Sequence, residues 1–570
     1  MFEYLCITKT LNLQKYMKRS SVLLIFAIIC ITFSGGVFSQ TINQKLITGI
    51  PSTFGQVDAY SLKYDAATGG WVYAAYDTTT SKFTIITPKG NSKPFNYAMT
   101  YNAVFDAEGN SYLIGSENIT DTVYRYSVLK NNEVIAEYDY IADGWVIKDN
   151  TLYFAAQDVG KHYMIKYDTK TGQTSKGKAY DEIRLAYTPD GYSEGEPVGY
   201  IGFTKSGSIY YIASLANETF LVIGDTEQKH YSDITWYDLK FNSKDEPCYI
   251  AKSQGKFYEQ RGNTFVVKGS EEYKMFDWIY GPLDFDNSGN PLYVGQDSTG
   301  EYKYRSTLMR GAEAINTIEG SIYNFAFTPQ GKLYYIASGE KTGKNGETTW
   351  HSSLVIDGKK GKEYSSVSSP VFGSKGELMF VASDKNNKYF VVYDNEIISG
   401  LYDYISEAKF LPNGKIAYVG VKYGNYDKNI PDKSYVIIDD EEFGPYNTVN
   451  TADWKSNSII LTDDKGNYAY MAGDLTDTKN YIYLYKVFSN KAESRDFDNI
   501  SDLKYVNGKL VYFAGNMKDK GTYLYDYSLY VENKKLGDTF SAYTDAVVKE
   551  GVMTFIASKG NEIYYVEARP

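Results

Sequence analysis

Short runs of alternating apolar and polar residues, separated by glycine-bearing turns, recur from about residue 60 to the end of the chain. FTPQGKLYYIAS at 327–338 reads as two strands around a tight turn, and FTKSGSIYYIAS at 203–214 and FGSKGELMFVAS at 372–383 repeat it. A two-residue alternation predicts half-buried strands, and glycine at the turn tolerates positive φ. No heptad or 3.6-residue pattern appears after residue 40. The pattern predicts an all-β chain built from one repeated unit.

Aligned on the end of the second strand, each unit shows an aromatic, an apolar residue and then Ala or Gly. The triplets end at Ala75, Gly115, Ala155, Ala213, Ala251, Gly295, Ala337, Ala382, Gly420, Ala472, Ala514 and Ala557; only Leu113-Ile114-Gly115 begins without an aromatic. The mean spacing of about 44 residues matches four-stranded propeller blades. First strands end at turns carrying glycines such as Gly331 and Gly414, and polar turns such as Asp357-Gly358 and Asp394-Asn395 join the third and fourth strands. A phrase such as Tyr138-Asp139-Tyr140-Ile141 or Tyr402-Asp403-Tyr404-Ile405 leads into the next unit. The small residue is expected to admit a large side chain from the next blade. Ala337→Leu should then cost roughly 1–3 kcal/mol by overpacking, and Tyr335→Ala roughly 3–5 kcal/mol by cavity formation.

Twelve blades exceed the four to eight usual for one ring. Two tandem six-bladed propellers are the expected division, over residues 40–322 and 323–570, with five and seven as the other split. The last unit stops after its third strand, Glu562 to Val566, while the segment 44–60 reads as an unattached fourth strand. Pairing the two would complete the last blade and remove an exposed edge.

The turns Thr328-Pro329-Gln330-Gly331-Lys332 and Leu411-Pro412-Asn413-Gly414-Lys415, with Thr188-Pro189-Asp190-Gly191 nearby in pattern, resemble the repeats of TolB-like periplasmic propellers. The resemblance spans most of the chain after residue 40 and implies a propeller fold, export and a bias toward binding. The α/β domain that accompanies the propeller in TolB has no counterpart here, so that protein's partners are not implied.

The N-terminal 39 residues change the picture of location. Met17-Lys18-Arg19 is basic, Val22 to Phe33 is apolar and too short to span a bilayer comfortably, and Val37-Phe38-Ser39 suits a signal peptidase. Residues 1–39 read as a cleaved signal peptide starting at Met17. Export to the periplasm, cell surface or medium follows, with no membrane insertion after cleavage. Cleavage removes Lys9, Lys15, Lys18, Arg19 and Glu3 and takes the net charge from −11 to −14. An acidic surface disfavours nucleic acid as a partner. Cys248 is the one cysteine left, so no intrachain disulfide is expected.

Candidate chemistry is sparse. Gly191-Tyr192-Ser193-Glu194-Gly195 matches G-x-S-x-G, but no helix or parallel sheet surrounds it. Asp284-Phe285-Asp286-Asn287-Ser288-Gly289 spells half of a calcium loop without its twelfth-position glutamate, and reads as a hairpin turn. Three histidines and one cysteine make no repeated transition-metal site, and no metal or cofactor is expected. Trp145, Trp236, Trp278 and Trp454 fall at connections between blades, and long loops at 339–350, 423–433 and 516–522 follow second strands. Both connection types emerge on one face of a propeller. Trp145, Trp236, Trp278, Trp350, Tyr423, Tyr426 and Trp454 are the candidate binding face for a protein or glycan. The expected role is non-catalytic binding or scaffolding. The alternative is a glycosidase or lyase with an acid pair at a channel mouth.

Overall fold

Each predicted unit folds into its own antiparallel sheet, twelve in all, in the computed structural model. It describes residues 40–570 apart from 50–60, 66, 121, 143, 185–200, 236–237, 258–261, 344–345, 429, 453–457, 478–481, 519–523 and 545, and the side chains of 101, 280–282, 369 and 426. The signal segment and the Gly191–Gly195 motif lie outside the described residues. Blade 7 is representative: Ser321–Phe327, Leu333–Thr342, Thr348–Ile356 and Lys359–Tyr364 pair in sequence order.

Burial follows strand position. The second and third strands carry the core, as in Leu378–Ser383 and Tyr389–Tyr393, while fourth strands such as Lys359–Tyr364 and Glu441–Tyr446 are largely exposed. First strands of successive blades approach one another, as Ser366–Phe372 and Tyr404–Phe410 do, which sets them toward the ring axis. Outside blade 1, each first strand is bulged or broken midway among the described residues, for example between Ile405 and Glu407 and between Ser501 and Lys504. A bulge leaves backbone groups without ladder partners, and these groups return below as ties between blades.

The N-terminal strand Thr41–Gly49 pairs with Glu562–Arg569, from Thr41 opposite Arg569 to Gly49 opposite Glu562. It supplies the fourth strand of blade 12. The described strand covers 41–49; the rest of the expected 44–60 segment, residues 50–60, lies outside the described residues.

Apolar clusters link each blade to the next. Leu292, Val294 and Leu308 of blade 6 pack with Ile322, Phe325 and Tyr335 of blade 7. Ile556 and Ile563 of blade 12 pack with Leu62, Tyr73 and Ala75 of blade 1, where Tyr64 stacks on Tyr565 at 4.5 Å. Two six-bladed rings would instead join blade 6 to blade 1 and blade 12 to blade 7. The twelve blades form one closed circuit that runs through 322/323 without a break, so the expected tandem split is not seen. Identical blades carry no local signal of ring size; the cumulative angle between neighbours sets it.

Ten junctions share one device. At the end of the fourth strand an aromatic enters the next blade: Phe95, Tyr138, Tyr180, Tyr231, Phe276, Tyr364, Tyr402, Tyr446, Phe497 and Phe540. It lies over the small residue of the next blade's triplet. A Cβ built on Gly115, Gly295 or Gly420 would come within 2.8, 2.3 and 2.5 Å of the rings of Phe95, Phe276 and Tyr402. The large side chain therefore comes from the preceding blade, not the following one. In nine of these junctions the ring also meets the triplet's own aromatic, centroids 5.7–6.5 Å apart and planes 59–85° apart, an edge-to-face geometry that aromatic quadrupoles favour. In blade 3 the register makes Ala156, opposite Ile141, the small residue, one place beyond the predicted Ala155.

Candidate functional site

One face of the ring carries both the hairpin turns between second and third strands and the connections between blades. Several hairpins project as continued ladders. In blade 7 the pairing runs out to Thr342 opposite Thr348, so the predicted loop at 339–350 is largely strand. In blade 6 it reaches Gly300 opposite Lys303, with Tyr302 at the tip and 83% exposed. The 423–433 segment is closed by a bridge between Asn425 and Ile430 around a short 3-10 turn at Tyr426–Lys428.

The predicted face residues divide. Trp350 and Tyr423 are exposed, at 53% and 61%, and Trp278 is half-buried at the start of the blade 6 first strand. Trp145 is buried, donates Nε1–H to the Asn102 carbonyl at 2.6 Å and meets Phe154 edge-on, so it packs between blades. Trp236, Trp454 and the Tyr426 side chain lie outside the described residues. Sequence reasoning passed over Ile119, Tyr124, Tyr302 and Ile430, exposed apolar residues at hairpin tips; hairpin-tip position was the available signal.

The recurring phrase between blades has a structural cause. Its middle residue accepts a backbone N–H from the hairpin of the blade it enters: Asp139 from Val159, Asp181 from Ala216, Asp277 from Ser298, Asp403 from Tyr423 and Asp498 from Met517, at 2.8–2.9 Å. Asn96 and Asn447 do the same for Asn118 and Leu475. Lys161 and Lys388 pair with Asp181 and Asp403 and hold those carboxyls below their ordinary range. These acids anchor the hairpins.

The junction between blades 6 and 7 departs from the rule. The pairing of Ile322 with Ala337 puts Glu319 where the aromatic stands elsewhere and Gly320 where the Asp or Asn stands. Glu319 turns toward Arg305, whose Nε donates to Oε1 at 2.7 Å. A cleft of about 230 Å³ remains, bounded by Glu319, Tyr335, Ala337, Gly339, His351 and Val355 among others. Tyr335 keeps the position of the triplet aromatic and accepts a hydrogen bond from Asn316 Nδ2 at 2.6 Å. At the mouth, Lys341 and Lys360 donate to Glu363 at 2.5 and 2.6 Å and hold its carboxyl at about 2. Trp350, one residue from His351 on the same strand, points to the other side of the hairpin by strand alternation.

Toward the axis, the motif acid-x-Lys-aromatic occurs at Asp238-Leu239-Lys240-Phe241, Glu407-Ala408-Lys409-Phe410 and Asp502-Leu503-Lys504-Tyr505. Glu407 accepts the N–H groups of Ile459 and Ile460 in the next blade, while Lys409 pairs with Glu407 and reaches Ser458. Asp502 accepts from Ala546 N–H and Lys504 donates to the Ala546 carbonyl. These groups stitch bulged first strands together. Asp238 is 7% exposed, its Oδ2 has no partner among the described residues, and burial pushes its carboxyl up to about 6. Asp233, also buried, is held by Arg184 at 2.9 Å and by Phe257 N–H at 3.1 Å.

At the half calcium motif, Asp286 Oδ1 accepts from the N–H groups of Ser288 and Asn290, and Oδ2 from Asn290 Nδ2. Asp106 and Asp463 make the same turn with Asn110 and Asn467. The motif is a hairpin turn whose carboxylate is used within it.

No protein-family model and no curated protein matches the chain. Solved structures match the chain distantly. A eukaryotic initiation factor structure is 10% identical, with a TM-score of 0.32 over 74% of this chain and 99% of its own. The β-propeller domain of the Trilobed protease from Pyrococcus furiosus, described as having an open velcro topology, is 12% identical, with a TM-score of 0.22 over 63% and 97%. Virginiamycin B lyase from Staphylococcus aureus is 13% identical, with a TM-score of 0.19 over 64% and 93%.

Proposed function

We propose that this protein is an exported, non-catalytic binding or scaffold protein that recognises a protein or glycan through the hairpin face. The observation that carries the reading is the projection of Ile119, Tyr302, Trp350, Tyr423 and Ile430 into solvent at hairpin tips of that face. Exposed aromatics on rigid hairpins supply contact area at low ordering cost. The acids beside them are engaged in anchoring, which favours recognition over acid–base chemistry. Trp278 joins this surface. Export rests on the N-terminal segment, whose basic, apolar and small-residue parts fall in signal-peptide order.

The test uses residues 40–570 on a glycan array and as bait against envelope proteins, with reducing-sugar release assayed on every glycan hit. Binding without product, weakened in a Tyr302→Ala, Trp350→Ala, Tyr423→Ala variant, is the expected result. Sugar release would replace this reading with the carbohydrate-active one.

A further inference from the structure

We propose that the open junction between blades 6 and 7 is a socket for an aromatic side chain, Phe or Tyr, presented by a protein partner. The proposal rests on the binding reading but concerns a site apart from the hairpin tips.

The argument is internal to the molecule. Ten junctions show what the space above a triplet's small residue accepts: a Phe or Tyr ring, laid over Ala or Gly and in nine cases edge-to-face with the triplet aromatic. At blade 7 the receiving half is intact. Tyr335 and Ala337 stand at their usual places, and Tyr335 is oriented through its hydroxyl by Asn316. The entering half is replaced by Glu319, whose carboxylate is drawn off to Arg305. The cleft left behind is bounded by the three landmark positions of the filled copies, Glu319, Tyr335 and Ala337.

Size and lining point to the same occupant. About 230 Å³ lies below the range of roughly 300–1,000 Å³ for drug-sized ligands and suits a single side chain. Tyr335 is 2% exposed, so no flat aromatic face is offered for a sugar to lie on. With Tyr335 already covered, an entering ring would rest over the half-buried Ala337 and Gly339 that border the cleft, as Phe276 and Tyr402 rest over Gly295 and Gly420. His351 and the Lys341–Glu363–Lys360 group at the mouth offer polar partners to the peptide that carries the ring.

The test measures saturation-transfer NMR of N-acetyl-phenylalaninamide and N-acetyl-tyrosinamide on residues 40–570, with N-acetyl-alaninamide as control. Glu319→Tyr supplies the missing ring and Ala337→Leu fills the socket from its floor. We expect transfer to ring protons in the native protein, a loss on the order of tenfold in both variants, and no loss in Trp350→Ala. Glu319→Tyr should also raise the melting temperature, because it completes a repeat. Should that variant fail to fold, Ala337→Leu alone decides. Absent ring transfer, or transfer unchanged in the socket variants, overturns the proposal. Partner binding that survives both socket variants but not the hairpin-tip variant would leave the binding reading standing and remove the socket.

Discussion

The ring of Tyr402 covers the backbone of Gly420 so closely that a Cβ there would sit 2.5 Å from its edge. Gly420 has no positive φ to require glycine, so the constraint is space. Gly420→Ala should overpack the junction and cost roughly 1–3 kcal/mol, read as a shift in the urea midpoint at unchanged m-value.

The open junction reverses the expectation for its own small residue. Ala382, beneath Tyr364, should not accept Leu without a loss of roughly 1–3 kcal/mol. Ala337→Leu, which meets a cleft instead of a ring, should change stability by less than about 1 kcal/mol. Thermal melts of the two variants side by side check the difference.

Asp238 sets a pH dependence. Its folded carboxyl is raised to about 6 by burial, from an ordinary 3.8, so the folded state binds more protons than the unfolded one between those values. Stability from this group is therefore present at low pH and lost as pH rises through about 6. Asp238→Asn abolishes that change and should be more stable than the native protein by about 1–3 kcal/mol above pH 7, with the gap closing near pH 4. Denaturant titrations at pH 4 and 7.5 measure it.

Cys248 is fully buried, and burial pushes its thiol up to about 12. The thiolate is the reactive form, so a disulfide reagent at pH 8 should label the native protein no faster than it unfolds. Labelling in seconds without denaturant would contradict the packing of blade 5.

Removing residues 40–49 should strip blade 12 of its outer strand and uncover Glu562–Arg569. Loss of the half-buried Ile42 and Ile47 should cost on the order of 3 kcal/mol, and the bare edge should promote concentration-dependent self-association. Melting temperature and light scattering across a dilution series report both effects.

Strand pairs, repeat length, the small residue of the triplet outside blade 3, and the pairing of an N-terminal strand with the last blade were legible in the sequence. Each is a local consequence of two-residue alternation, glycine turns or a missing fourth strand. Trp145 was misplaced because a tryptophan between blades has the same sequence setting whether it points into a junction or out of it. The predicted loop at 339–350 hid a ladder, since Glu340 and Trp350 alternate in polarity without a fully buried face.

The sequence by itself determined the blade: its strands, its turns and the aromatic that ends it. Only the tertiary structure decided how blades meet. Ring size depends on the sum of small angles between neighbours, and no single repeat encodes a sum. The open junction needed the register of Ile322 against Ala337, because only that pairing shows Glu319 standing in an aromatic's place. Which acids are engaged also waited on the fold, since Glu407 and Asp502 find their partners some fifty and forty residues away, across bulges that exist only once the blades have packed.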